Sequence, residues 1–260
     1  MTILDQIFAS KREQLHQQMA AVSLEDMRHR ADDAPPVRGF RQALLNGSLP
    51  VSLIAEVKKA SPSAGTIRAE FDPQQIAESY RDAGAQCLSV LTDVEYFQGS
   101  PENLNLCRQA SGLPVLRKDF TAAPYHVYEA RSLGADAVLL IAAKLTDEEI
   151  HQMQAIAWEL GMDALVEVHD EAEADRAVAL GANLIGINNR DLATFEVDLS
   201  TTERVVSRIT SNALIVSESA LHSADDVQRA ARAGARAVLI GTAFCSSPDI
   251  ESRVKEVMSW

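Results

Sequence analysis

A three-residue pattern recurs through this chain. Ala83-Gly84-Ala85, Leu133-Gly134-Ala135, Leu180-Gly181-Ala182 and Ala233-Gly234-Ala235 each stand directly before a short run rich in β-branched residues or leucine. A glycine so placed stops a helix in the left-handed conformation, and an apolar run straight after it reads as a buried strand. With the other runs of this kind, the sequence predicts strands at 51–57, 86–91, 113–116, 136–141, 163–168, 184–187, 213–217 and 236–240. Between them lie segments of helical period, such as Ile150, Met153, Ala157 and Leu160, or Ile76, Tyr80 and Ala83. Asp72-Pro73 and Ser100-Pro101 mark helix starts, while Thr146 with Glu149 and Ser200 with Glu203 have the spacing of capping boxes.

Strands that alternate strictly with helices form a parallel sheet, wound open or closed. Eight units with near-continuous apolar strands favour the closed (β/α)8 barrel, for which 260 residues suffice. The alternative is an open doubly wound sheet, but no Gly-x-Gly-x-x-Gly follows the first strand. Residues 1–47 stand apart as an N-terminal helical extension, with helical patterns near Ile3 to Met19, Leu24 to Arg30 and Phe40 to Leu45. Such an extension packs across a barrel end, as a plug or as part of a substrate lid. Residues 48–260 are then the catalytic barrel.

The net charge of −13 argues against nucleic acid or an anionic membrane surface as partner. An anionic substrate must therefore be drawn in by a local cluster of cations. Cys87, Cys107 and Cys245 have no metal or redox spacing and read as buried apolar residues in a reducing compartment. The N-terminus has no basic-then-apolar signal region, and the longest apolar run, near Ala135 to Ala143, is far short of a membrane span. The expectation is a soluble, cytoplasmic protein that handles a small molecule; a monomer is expected, with an oligomer left open.

In a barrel the C-terminal ends of the strands build the active site. Here they offer Glu56 and Lys58, Thr92 and Asp93, Arg117, Lys118 and Asp119, then Glu167 and His169. Later ends offer Asn188-Asn189-Arg190-Asp191, Ser217-Glu218-Ser219 and Gly241-Thr242. Any one of these alone reads as a wet rim residue. Together they place two lysines, Lys58 and Lys118, among the carboxylates of Glu56 and Glu167. Two cations depress each other's pKa and carboxylates raise it again, which is how an amine is tuned as a general acid. Schiff-base chemistry is the other use of such a lysine. Ser219-Ala220 and Gly241-Thr242-Ala243 lie where barrels often hold phosphate, although Gly241 also suits a simple tight turn. His169, followed by Asp170 and Glu171, reads as a rim residue. There is no metal-ligand spacing and no Gly-x-Ser-x-Gly turn, and no cofactor or metal is expected.

Six segments in order then resemble one family. They are Ile54-Ala55-Glu56-Val57-Lys58-Lys59-Ala60-Ser61-Pro62-Ser63; Leu88-Ser89-Val90-Leu91-Thr92-Asp93 with Tyr96-Phe97-Gln98-Gly99-Ser100; and Val115-Leu116-Arg117-Lys118-Asp119-Phe120. The others are Leu165-Val166-Glu167-Val168-His169, Gly186-Ile187-Asn188-Asn189-Arg190-Asp191-Leu192 and Val216-Ser217-Glu218-Ser219. They are similar to indole-3-glycerol phosphate synthases of tryptophan biosynthesis, over nearly the whole chain. The resemblance implies a lyase that closes the indole ring of 1-(2-carboxyphenylamino)-1-deoxyribulose 5-phosphate with loss of carbon dioxide and water.

By motif match, Lys118 resembles the general acid at the ketone oxygen. Lys58 resembles the residue that holds the substrate carboxylate and assists dehydration, and Glu167 the partner base or charge stabiliser. Glu56 would orient the lysines and the anilino nitrogen. Asn188 and Ser219 would hold sugar hydroxyls, and Arg190 would help fix the charge network. Ser61, Gly241 and Thr242 resemble the phosphate set, and Phe120 the apolar wall beside the anthranilate ring. Which lysine delivers the dehydration proton stays open.

The chain departs from the family pattern at Ala64, where a lysine is usual, and at Ala220, where a glycine is usual. Thr242 and Phe244-Cys245 also replace common family residues. The expectation is an active enzyme with weakened phosphate affinity, set against a catalytically silent barrel or a related phosphoribosyl isomerase.

Overall fold

A computed structural model describes residues 2–47, 49–191 and 194–259. Eight parallel strands close into a barrel: β1 (Ser52–Val57), β2 (Cys87–Leu91), β3 (Val115–Lys118), β4 (Ala137–Ile141), β5 (Asp163–Val168), β6 (Leu184–Asn188), β7 (Leu214–Glu218) and β8 (Ala237–Ile240). The ring closes where β1 pairs with β8, Ser52 opposite Ala237. The open-sheet alternative is thereby excluded.

The recurring glycine explains how each helix turns into a strand. Gly84, at φ +90°, donates its N–H to Arg81 O, and Ala85 N–H reaches back to Tyr80 O, which satisfies the carbonyls left over at the helix end. The same pair of bonds recurs at Gly134, Gly181 and Gly234. A side chain at such a position costs about 1–2 kcal/mol, so the pattern is written in glycine.

Three local expectations change. Strand β3 runs two residues past the predicted end at 116, so Arg117 and Lys118 lie inside it. Gly112 at φ +74° and Pro114, which has no N–H to give the ladder, delay the strand to Val115, and buried Arg117 is fixed by Glu129 and Asp119. The Ser200–Glu203 capping box does not form. Ser200 is inside the helix Ser200–Val206, its N–H goes to Asp198 Oδ1, and Glu203 is bound by Arg229. The box at Thr146 and Glu149 is present. Finally, the loop after β1 is a small antiparallel hairpin, Ala60–Ser61 against Gly65–Thr66.

The segment before the barrel wraps both of its ends. Helix α1 (Ile3–Ala21) lies over the C-terminal mouth, with Leu4, Ile7 and Phe8 buried and Lys11 paired to Asp93 and Asp119 at 2.8 and 2.7 Å. Helix α2 (Leu24–Asp32) packs on the helix Pro124–Ser132. Helix α3 (Phe40–Leu45) seals the opposite end, where Arg41 N–H meets Asp163 at 2.8 Å and Ser52 Oγ donates to Leu44 O at 2.6 Å. The expected boundary at residue 48 falls on Ser48, outside the described residues. Among the described residues no helix is long and apolar enough to cross a membrane.

Candidate active site

Strand alternation decides which side chains meet at the mouth. In a barrel of this kind a layer is filled by every second strand. Here β1, β3, β5 and β7 contribute Glu56, Lys118, Glu167 and Glu218. Lys118 Nζ donates to Glu167 Oε2 at 2.7 Å and to Glu218 Oε2 at 2.9 Å. Lys58 Nζ pairs with Glu56 Oε1 at 2.6 Å, and Ser89 Oγ donates to the other oxygen of Glu56 at 3.3 Å. Both carboxylates of the Lys118 clasp are almost wholly buried.

The electrostatics differ from the sequence reading in one respect. Mutual depression by Lys58 and Lys118 does not govern Lys118. Burial pulls the Lys118 ammonium down, but Glu167, Glu218 and Glu56 outweigh it and hold its pKa above the ordinary lysine value. Burial pushes Glu167 up, and Lys118 with His169 more than reverses this, so Glu167 stays ionised below the usual range. Glu218 shares the same lysine, yet burial and repulsion from Glu167 and Glu56 win, and its pKa is pushed up to about 7. Two buried carboxylates on one ammonium thus divide the roles: one permanently charged, one able to carry a proton near neutrality.

A second group lies across the mouth. Asn188 Nδ2 donates to Glu167 Oε1 at 3.2 Å, and its Oδ1 accepts from Ser219 Oγ at 2.9 Å and from Arg190 N–H at 3.0 Å. Arg190 Nη1 donates to Phe195 O at 3.0 Å. Leu192, the last residue of that motif, lies outside the described residues. Phe120 meets Phe8 of α1 edge to face and Phe97 at a tilt, each with ring centroids 5.9 Å apart, which gives the site an apolar wall.

One cavity of about 230 Å3 is lined by all eleven residues singled out in the sequence: Glu56, Lys58, Ser61, Lys118, Phe120, Glu167, Asn188, Arg190, Ser219, Gly241 and Thr242. Ile3, Leu4 and Ile7 of α1 line it too, so the extension forms part of the cavity wall. Gly241 has a reason beyond a turn. A Cβ there would lie 2.5 Å from Glu56 Oε1, and the residue opens the short helix Thr242–Cys245. Ser219 and Ala220 stand at φ +66° and +60°, so Ala220 adopts the left-handed backbone that suits the glycine usual in the family.

Three residues matter more in the structure than their sequence context suggests. From sequence Glu218 reads only as a strand end, yet in the structure it holds Lys118; its signal is its place on the fourth odd strand. Phe97 sits in the Tyr96-to-Ser100 segment and lines the cavity. His169 is no wet rim residue: its side chain is 14% exposed and its Nε2 lies 3.3 Å from Glu167 Oε1. Among the described residues, no three His, Cys, Asp or Glu side chains are grouped to hold a metal ion.

Comparison with known proteins agrees with this geometry. The chain matches the family described as indole-3-glycerol phosphate synthase over residues 4–257. It is 47% identical over 259 residues to indole-3-glycerol phosphate synthase 2 of Ralstonia nicotianae, covering 99% of this chain and 97% of that one. It is 47% identical over 248 residues to the indole-3-glycerol phosphate synthase of Acinetobacter baylyi, covering 95% and 92%. Among solved structures, 3-hexulose-6-phosphate synthase from Salmonella typhimurium superposes with a TM-score of 0.65 at 13% identity, over 80% of this chain and 97% of that one. A mandelate oxidase variant does so at 0.61 and 17% identity, over 82% and 72%. These two likenesses speak to the barrel alone. The full-length sequence match is of another order, and by it the chain belongs to the indole-3-glycerol phosphate synthase family.

Proposed function

We propose that this chain closes the indole ring of 1-(2-carboxyphenylamino)-1-deoxyribulose 5-phosphate, giving indole-3-glycerol phosphate, carbon dioxide and water. Family membership supports the reaction. The observation that carries it to these residues is Lys118, held between Glu167 and Glu218 at 2.7 and 2.9 Å in the cavity.

The ring carbon that bears the carboxylate attacks the ketone carbon, and the ketone oxygen takes a proton. Lys118 is the donor: its ammonium is fully protonated in the resting site and becomes acidic enough only against a developing alkoxide. Loss of carbon dioxide returns the bond electrons to the six-membered ring. The hydroxyl then leaves as water, and a proton is lost from the adjacent carbon to form the five-membered aromatic ring. Glu167, permanently charged, stabilises the cationic character that develops at nitrogen and serves as base. Lys58 holds the substrate carboxylate and assists dehydration, with Glu56 orienting it. Folding the flexible substrate so that ring carbon and ketone meet supplies much of the rate, and this is the task of Phe120, Asn188, Ser219 and Arg190.

Ser61, Gly241 and Thr242, which line the cavity, receive the phosphate. The N–H groups at a helix start have no intrahelical acceptor, and the adjacent hydroxyl adds a donor. Residues 1–47 act as an extension that completes the chamber. A monomer in the cytoplasm fits three buried free thiols and large exposed apolar residues that sit singly on separate elements, such as Met19, Trp158 and Val197.

Incubation of the purified protein with the carboxyphenylamino-deoxyribulose phosphate, followed by indole fluorescence and carbon dioxide release, tests the reading. Stoichiometric release of both is expected. Absence of indole product at high protein concentration would refute it in favour of a silent barrel.

A further inference from the structure

We propose that His169 is a positioning residue for ring closure: its imidazolium, clamped between Glu173 and Glu167, fixes the catalytic carboxylate in the orientation that presents Oε2 to Lys118. The inference rests on the activity proposed above. It concerns a side chain that stands behind Glu167: Glu167 lines the cavity and His169 does not.

The geometry comes from a departure in how one helix begins. The helix Glu171–Ala179 starts with Asp170 as its cap, whose side chain accepts from Glu173 N–H at 2.8 Å. A glutamate in the third helical position ordinarily reaches back to the capping residue's own N–H. Here Glu173 reaches one residue further. Its Oε2 accepts from His169 N–H at 2.8 Å and also meets His169 Nδ1 at 3.0 Å. The ring is thereby fixed at one nitrogen, and its Nε2 lies 3.3 Å from Glu167 Oε1, in ion-pair range though not aligned as a hydrogen bond.

Glu167 is then held from three directions. Lys118 donates to Oε2 and Asn188 to Oε1, and the His169 ring lies in ion-pair range of Oε1. Only the first contact has to yield when substrate arrives. A carboxylate anchored through its other oxygen keeps its place while Lys118 turns to the ketone, and that is the value of a rear support.

Charge supports the same view. The groups facing the imidazole are Glu167 on β5 and Glu173 on the following helix; Lys118 on β3 and Glu218 on β7 lie beyond Glu167, and Asp170 is turned toward Glu173 N–H. Burial lowers the affinity of His169 for a proton, but the two glutamates outweigh it and raise its pKa to about 10. The ring is therefore cationic through the neutral range and helps keep Glu167 ionised.

The test compares the native chain with His169→Gln, which keeps a donor but no charge, and Glu173→Gln, which keeps the imidazole and its acceptor but removes one carboxylate. In His169→Gln, kcat is expected to fall roughly tenfold, KM to stay within about twofold, and the acid limb of the kcat profile to move up by about one pH unit. In Glu173→Gln, neutral activity is retained, and a new loss appears on the alkaline side as the less supported ring deprotonates below the native value. The imidazole titration followed by NMR in both imidazole-bearing proteins reads the same change without turnover. Native kcat and an unmoved acid limb in His169→Gln would overturn the inference, as would superimposable imidazole titrations in native and Glu173→Gln protein. A native chain without turnover refutes the activity itself, and the inference with it.

Discussion

Gly186 lies against Glu218 so closely that a Cβ on the glycine would stand 2.1 Å from Glu218 Oε1 and 3.3 Å from Leu165 Cδ1. The absence of a side chain on β6 is what lets the β7 carboxylate lie across the barrel and reach Lys118. Gly186→Ala is expected to swing that carboxylate away, since the end of Glu218 gives more easily than the packed strand. Steady-state kinetics should show turnover reduced by roughly tenfold or more, with far-UV circular dichroism unchanged.

Removing the proposed acid, Lys118, is harsher. Lys118→Ala is expected to lower kcat by about two to four orders of magnitude while the fold persists, because of the two carboxylates that lose its ammonium Glu218 can take up a proton and Glu167 keeps His169 and Asn188. Lys118→Arg should fail as well: guanidinium stays protonated and presents a wider, planar group to Glu167 and Glu218. Near-native turnover in either variant would remove Lys118 from its role.

Glu218 gives a pH signature with a definite sign. Its pKa is raised in the folded chain to about 7, from an ordinary 4.5, by burial and by Glu167 and Glu56. The folded state therefore binds more protons than the unfolded chain within that window, so Glu218 makes stability fall as pH rises through it. Glu218→Gln removes this contribution. Between pH 4.5 and 7, urea unfolding should show a more positive slope of stability against pH than in the native chain. The kcat profile should also lose an inflection near neutrality.

Much of the fold was legible because its grammar is local. The same helix stop at Gly84, Gly134, Gly181 and Gly234 is a backbone requirement, and each was followed by its strand. The site residues were legible in part for a similar reason: strand ends are short and polar residues there are few. What was hidden depends on distance in sequence. Glu218 matters because Gly186 leaves it room and Lys118 needs it, and neither fact is local to residues 217–219. His169 reads as a rim residue in sequence because its neighbours are acidic, whereas Glu173 turns the ring inward. Ser200 matched a capping pattern, but Asp198 competed for its N–H.

The extension can be tested through Lys11. Its ammonium, 13% exposed, joins α1 to Asp93 and Asp119, which are almost wholly buried. Lys11→Met keeps the length and removes the charge, leaving Asp93 without its cation while Asp119 retains Arg117. Breaking a buried pair from one side costs about 3–5 kcal/mol, and denaturant unfolding should register a loss of this order or a separate early release of α1. KM should rise, because α1 carries Ile3, Leu4 and Ile7 into the cavity and Phe8 against Phe120.

Ala220 offers the opposite kind of test, a change expected to improve the protein. Its φ of +60° follows Ser219 at +66°, two consecutive non-glycine residues in the left-handed region at the edge of the substrate cavity. Holding a Cβ there costs about 1–2 kcal/mol. Glycine at 220 relieves that cost but gives the unfolded chain more freedom, which takes back about 0.5–1 kcal/mol. The balance is a gain of up to about 1 kcal/mol in denaturant unfolding. Removing the methyl also lets the backbone N–H approach an anion more closely, so KM for the phosphorylated substrate should fall while kcat holds. A gain in stability with unchanged KM would show that the strain at Ala220 is real but that the phosphate does not lean on this residue.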